Sequence, residues 1–314
     1  MTDRGRSLAL HLGLLAALAV AGALLPAYHQ GTFARIMVLA AYAAGYNILF
    51  GYTGLLSLGH AMFFAAGMYG LALPMRHLGW AAEPAFAFAL LAGAVLSLAV
   101  GALALRTKGV AFMIVTLMFA QAVYLAVILA TPWTRGDEGF VIPAEARRAF
   151  GIALADADAR YGAAWVLFAV STLITLWLVR RPLGHVLVAI RENEERARLL
   201  GYDTFAHKLA AVVISGTMSA AAGAGYALLF GSAGSTYATA QYSILPLLWV
   251  LLGGAGTVIG PFLGTIFMFY LIDWAADVTP AYMLIAGAAL VALTLYAPEG
   301  LAGLVRRRLW RWLP

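Results

Sequence analysis

The chain contains no cysteine, only two lysines and few charges of either sign. Asp, Glu, Lys and Arg make up 11% of its 314 residues, where a soluble domain would carry about a quarter. Without cysteine there are no disulfides and no thiolate metal sites. The two lysines, Lys108 after Thr107 and Lys208 after His207, stand in no Gly-Lys-Ser/Thr context. A phosphate loop needs that context, because its backbone amides cradle the phosphates while the lysine pairs with them. This chain therefore does not itself hydrolyse ATP. H-E-x-x-H and G-x-S-x-G are also missing, so neither a zinc hydrolase site nor a strained serine nucleophile is expected. Ser57 and His60 lie three residues apart, yet no third group orients the histidine. A polar pair facing a helix bundle is the reading adopted. No catalytic residue, metal ligand or cofactor is assigned to this chain.

What is present is apolar. Hydrophobic residues reach 63% and mean hydropathy is +0.89, which predicts an all-α polytopic membrane protein, one transmembrane domain over residues 1–314. A span of ~30 Å of hydrocarbon needs about 20 apolar residues. Ten segments qualify: 8–26, 33–51, 56–75, 84–105, 109–131, 163–179, 209–230, 244–258, 261–276 and 281–298. The eighth and ninth are joined by the apolar GGAGTVIGPFLG, which can turn within the membrane. The first 25 residues carry Arg4, Arg6 and Ala19-Val20-Ala21 like a signal peptide. Their apolar run is long for one, and an uncleaved anchor is expected.

The net charge of +6 comes from 20 basic and 14 acidic residues. With the N-terminus inside, ten crossings put 14 of the 20 basic residues in cytoplasmic segments and six outside, following the positive-inside rule. Both termini are then cytoplasmic, as is a basic tail at 305–314. The charge sets topology and does not point to nucleic acid. Every Asp and Glu maps to a loop or span end, Asp273, Asp277 and Glu299 included. An ion-coupled carrier would place an acid at mid-membrane, at ~2.5–3.5 kcal/mol, so a stand-alone secondary carrier is the weaker alternative.

Two loops exceed what connection requires. The extracytoplasmic one, 132–162, contains TPWTRGDEGFVIPAEARRAFG and is either functional or disordered. The cytoplasmic one, 180–208, carries six basic and four acidic residues and reads as one helix from Pro182 to the closing Gly201. Leu183, Val186, Leu187 and Ile190 share one face. Glu192–Arg196, Glu194–Arg198 and Arg191–Glu195 are spaced as i,i+4 pairs. The helix is either a solvated charged element or a docking element for a cytoplasmic partner. In the docking reading Leu187 and Ile190 are the anchors, with Arg191, Glu192, Asn193, Glu194 and Glu195 around them.

Residues 46–70, YNILFGYTGLLSLGHAMFFAAGMYG, are rich in small side chains. Tight helix packing explains such a stretch. A helix broken at Gly51-Tyr52-Thr53-Gly54 explains it equally, since broken backbone is tolerated where it is buried in protein or lines a cavity. Tyr52, Thr53, Ser57, Gly59 and His60 then offer a neutral polar path, with Thr116 and Gln121 as weaker lining candidates. ILFGYTGLLSLG and VLLGGAGTVIG share an apolar triplet followed by G-x-x-G, too little to establish a repeat.

Together GYTGLLSLGHAMFFAAGMYG (51–70), LRTKGVAFMIVTLMFAQ (105–121), TRGDEGFVIP (134–143), RRPLGHVLVAIRENEERARLLGYDTFAHKLAAVVISGTMSAAAGAGYA (180–227), GGAGTVIGPFLG (253–264) and YAPEGLAGL (296–304) resemble the LivM-type permeases of branched-chain amino acid ABC importers. The resemblance runs in order over most of residues 40–304, and AIRENEERARLLG is its most specific part. It implies a second permease subunit, two cytoplasmic ABC ATPases that bind ATP and Mg, and an extracytoplasmic substrate-binding protein, all at a bacterial inner membrane. It places Arg191–Glu195 and Gly201 in the coupling loop to the ATPase, and Gly51, Gly54, Ser57, Gly59 and His60 in the small-residue motif. His185 stands where the family pattern has arginine, and TRGDEGFVIP matches its glycine-rich loop loosely. Related permeases carry urea or short amides, which remain the alternative substrates.

Overall fold

A computed structural model describes residues 3–279, 281–296 and 299–303. The basic tail at 305–314 and part of YAPEGLAGL lie outside the described residues. The helices are α1 (Asp3–Leu24), α2 (Ala27–Asn47), α3 (Ala61–His77), α4 (Ala82–Ala104), α5 (Val110–Leu129), α6 (Thr131–Thr134) and α7 (Ala157–Arg180). They continue as α8 (Pro182–Glu192), α9 (Glu194–Leu199), α10 (Thr204–Phe230), α11 (Ala240–Gly253), α12 (Gly260–Val278) and α13 (Tyr282–Tyr296). A π-helical turn, Ile48–Tyr52, extends α2.

Two helices form the centre of the bundle. The apolar windows of α2 and α10 are 83% and 78% buried inside the chain, against 28% for α4 and 22% for α5. Helix α10 packs along α2, α3 and α4, while α7 covers the other side of α2. Lipid tails are as apolar as leucine, so helices associate by close packing of small residues. A Cβ on Gly67 would sit 1.9 Å from the Ala220 carbonyl oxygen, and one on Gly223 1.9 Å from that of Phe64. Those two glycines let α3 and α10 touch backbone to backbone. The first helix is tied to α7, with the Tyr161 hydroxyl donating to the Leu18 carbonyl at 2.6 Å and the Trp165 indole to Leu15 at 2.9 Å.

The all-α polytopic class holds, with differences in detail. Among the described residues seven helices are long and apolar enough to cross a membrane. The segments expected at 56–75 and 244–258 form shorter helices of 17 and 14 residues, and the described part of 281–298 is helical over 15 residues. At ~1.5 Å per residue, the 14 residues of α11 span only about 21 Å. The third segment is short because its first residues, 56–60, are not helical.

The 132–162 loop is folded. Strand β1 (Phe140–Val141) pairs antiparallel with a later strand at Ser232–Ala233, and Arg148–Ala149 pairs with Ile152–Ala153 in a hairpin. The 180–208 segment is two helices rather than one. Asn193 is extended (φ −160°, ψ 101°), and its side chain accepts the Arg196 amide, so it ends α8 and caps α9. That break takes α9 out of register with α8. Glu194–Arg198 forms at 3.3 Å, but Glu192–Arg196 and Arg191–Glu195, which straddle the break, do not; Arg191 meets Glu192 instead.

Candidate functional site

The break in the second span is built by its own residues. Thr53 donates its hydroxyl to the Ile48 carbonyl at 2.8 Å, and the amides of Gly54 and Leu55 reach Phe50 and Leu49 at 3.0 Å each. Gly54 then adopts φ +74°, a left-handed conformation that glycine enters without penalty. Residues 55–60 run without regular structure among the helices.

Neighbouring hydroxyls satisfy the backbone that this unwinding frees, the condition for non-helical chain at membrane depth. The Leu58 amide donates to Thr116 Oγ1 at 3.3 Å and the Ala61 amide to Ser243 Oγ at 2.9 Å. The Ser57 carbonyl accepts the Tyr46 hydroxyl at 3.0 Å. Gly59 lies so close to α5 that a Cβ would meet the Thr116 carbonyl at 2.0 Å.

His60 is fully buried, ringed by Tyr42, Tyr46 and Phe63. Its Nε2 lies 3.1 Å from Ser215 Oγ, and the Ser215 hydroxyl hydrogen goes to the Gly45 carbonyl. Nε2–H is therefore the donor and Nδ1, which has no partner, the bare acceptor. His60 pairs with Ser215 and not with Ser57.

The 180–208 loop meets this break. Leu187 is wholly buried and Ile190 nearly so, which corrects their reading as anchors for a partner. Leu187 packs with Ala44, Ile48, Leu178, Ala211 and Met218, and Ile190 with Val186 and Ala197. The apolar face of α8 thus holds the loop to its own spans. Arg191 turns inward, its guanidinium donating to the Gly51 carbonyl. Beside it the Asn47 amide clamps the turn after α11: Nδ2 donates to the Thr257 carbonyl and Oδ1 accepts the Gly256 amide, both at 2.9 Å. The two apolar-triplet G-x-x-G segments thus touch.

Glu194 links the loop to α10 through Lys208 at 2.6 Å and holds Arg198. Burial opposes its ionisation, but Lys208, with Lys108 and Thr204, outweighs that and holds the carboxyl below its ordinary value. Beyond it Gly201 closes the turn at φ +89°. Leu199, Leu200, Tyr202 and Phe205 stand exposed, Leu199 at 88%.

Gly51, Tyr52, Thr53, Gly54, Ser57, Gly59, His60 and Thr116 are brought together. Gln121 is not; it lies on the exposed face of α5. Glu192 and Glu195 are exposed on the loop. Asn47, Ser215, Ser243 and Gly256 escape sequence reasoning. Asn47 had a signal, a carboxamide inside an apolar span; the serines are lost in a background of small residues.

A family described as "Branched-chain amino acid transport system / permease component" matches residues 28–294. The chain belongs to that permease family. Over 295 residues this permease is 29% identical to the high-affinity branched-chain amino acid transport system permease protein LivM of Escherichia coli and 28% to that of Salmonella typhimurium. Each alignment covers 87% of this chain and 69% of the relative. A probable branched-chain amino acid transport permease protein LivM of Methanocaldococcus jannaschii is 31% identical over 107 residues, 33% of this chain and 31% of the relative. No solved structure matches the chain significantly.

At the other end of the permease a cavity of about 820 Å³ opens between the end of α3, β1 and the Ser232–Tyr237 segment. Arg76, Arg135 and Glu138 line it with Met75, Phe140 and Ile142, and Arg76 stacks over the Phe140 ring at 4.5 Å.

Proposed function

We propose that this permease is one membrane-spanning half of an ATP-driven importer of leucine, isoleucine and valine in a bacterial inner membrane. A second permease subunit completes the pathway, two cytoplasmic ABC ATPases bind ATP and Mg, and an extracytoplasmic binding protein delivers substrate. In this reading the chain crosses ten times, counting the shorter helices, and both termini are cytoplasmic. Family membership supports the transport class, and the names of the relatives support the substrate.

The observation that carries the coupling role is the cytoplasmic loop. Its inner face is locked to the spans, while Leu199, Leu200, Tyr202 and Phe205 present an apolar patch to water. A few such anchors usually carry most of an interface's energy, and this patch replaces Leu187 and Ile190 as the ATPase contact. The exposed face of α5, with Ile114, Met118, Gln121 and Leu125, suits the sister permease, because a carboxamide facing lipid lacks a partner.

The test is Leu199→Asp with Leu200→Asp. The double variant should insert normally yet lose the ATPase on purification and lose ATP-dependent leucine uptake. Leucine uptake that survives ATP depletion but collapses with the proton gradient would favour a secondary carrier and sink the proposal. Uptake of urea or acetamide in place of leucine would move the substrate.

A further inference from the structure

We propose that Arg191 is a positioning residue for transport: it ties the cytoplasmic loop to the break in the second span and to the turn after α11, so that the three move as one. The proposal rests on the ABC permease reading above. Arg191 leaves the last turn of α8 one turn after Leu187, on the side of the helix that Leu187 and Ile190 fix to the chain's own core. Its stem lies on Gly54, where a Cβ would come 2.8 Å from Arg191 Cγ. Its guanidinium donates to the Gly51 carbonyl. That carbonyl belongs to the last turn before the helix stops, where carbonyls lack helical partners and carry partial negative charge.

The same guanidinium abuts the other turn. A Cβ on Gly256 would lie 3.0 Å from Arg191 Nη1 and 3.1 Å from the Gly51 oxygen. Asn47 completes the joint through its two bonds to Gly256 and Thr257. At Gly51 a Cβ would meet Asn47 Oδ1 at 1.9 Å and the Gly256 amide at 2.4 Å, so the joint closes only on glycine.

Gly54 and Gly256 both sit at φ +74°, where the chain changes direction rather than continuing a helix. Such element-terminal points are where hinges absorb movement. Pulling on α8 therefore displaces the break through Arg191, and the turn after α11 through Asn47 and the guanidinium packed against it. The guanidinium is shared between two sides: Nη1 reaches in to the Gly51 carbonyl, while Nη2 stays with Glu192 at the surface.

Arg191→Met and Arg191→Lys separate the contributions. Methionine keeps an apolar stem over Gly54 but has no donor; lysine keeps the stem, the charge and one donor. Both are measured in the complete transporter, reconstituted with its sister permease, ATPases and binding protein. Both variants should retain the ATPases at wild-type stoichiometry and hydrolyse ATP at the basal rate. The methionine variant should transport about tenfold more slowly or worse, as one lost charge-assisted hydrogen bond allows. Its half-saturating substrate concentration should be unchanged, and substrate should no longer stimulate hydrolysis. Lysine should restore part of both.

A second readout needs no ATPase. In this cysteine-free chain, a single cysteine replacing Leu55 should react faster with a thiol probe when Arg191 is methionine, because the break is untied. Wild-type transport and stimulation in the methionine variant, with unchanged labelling at 55, overturns the proposal. So does loss of the ATPases from that variant, which would make Arg191 a docking contact. If methionine prevents insertion, the lysine variant decides: reduced stimulation supports the tie, and full stimulation overturns it. Failure of the ABC reading shows separately, as a wild-type permease that holds no ATPase while the labelling contrast at 55 persists.

Discussion

Two glycines, Gly54 and Gly67, are required for different reasons. At Gly54 the backbone sits at φ +74° against the flexible stem of Arg191. Gly54→Ala meets a left-handed penalty of roughly 1–2 kcal/mol and displaces Arg191, so transport should fall while abundance in the membrane is kept. At Gly67 the obstacle is the Ala220 backbone, 1.9 Å from a Cβ, which cannot rotate away. Gly67→Leu should force α3 from α10 and cost about 1–3 kcal/mol or more, read as a lower unfolding temperature in detergent. The pair fails if Gly54→Ala is the less stable protein. Glu194 is a residue of the same weight in the loop. Its carboxyl is held below its ordinary value by Lys208 despite burial. The folded value thus lies below the unfolded one, so the stabilisation is complete at neutral pH and lost as pH falls through the folded value. As pH falls below the ordinary glutamate range the loop should become sensitive to protease. Glu194→Gln should be equally sensitive at neutral pH; protection of that variant there would remove Glu194 from the account.

At the scale of elements, the loop is two short helices hinged on one side chain. The Asn193 cap on Arg196 is worth about 1 kcal/mol. Asn193→Ala should raise amide exchange across Glu194–Leu199 while leaving α8, anchored by Leu187, protected. Equal exchange in both helices would mean that α9 is held by something other than its cap. The acidic residues divide in the same way. Glu194 bridges Arg198 and Lys208 inside the chain, whereas Glu195 is exposed. Glu194→Arg should therefore disturb the loop itself, and Glu195→Arg only what the loop meets. Exposed pairs add little to stability, roughly 0–1 kcal/mol, so Glu195→Arg should leave folding intact and change only ATPase co-purification.

For the whole molecule, the proposed topology is testable because the chain lacks cysteine. Single cysteines at Glu138 and Ser235 should react with an impermeant thiol reagent on intact cells, and one at Glu195 only after lysis. Labelling of 195 from outside would invert the molecule and end the coupling proposal. Composition by itself determined that the chain lives in lipid, because 63% hydrophobic and 11% charged residues cannot cover a water-soluble surface. The lack of a Gly-Lys-Ser/Thr phosphate loop was readable at once, since a missing motif needs no fold to be read. An interruption at Gly51–Gly54 was one of two readings open in the sequence, beside tight helix packing, because glycine serves both. Only the tertiary structure decided what the interruption touches. Arg191 and Gly51 are 140 residues apart, and no local pattern records a bond at that separation. Periodicity likewise placed Leu187 and Ile190 on one face of a helix but could not say what covers it. The spans of the same chain lie beneath that face and bury it, which leaves Leu199 and Leu200, beyond the turn that Asn193 makes, as the apolar groups turned to water.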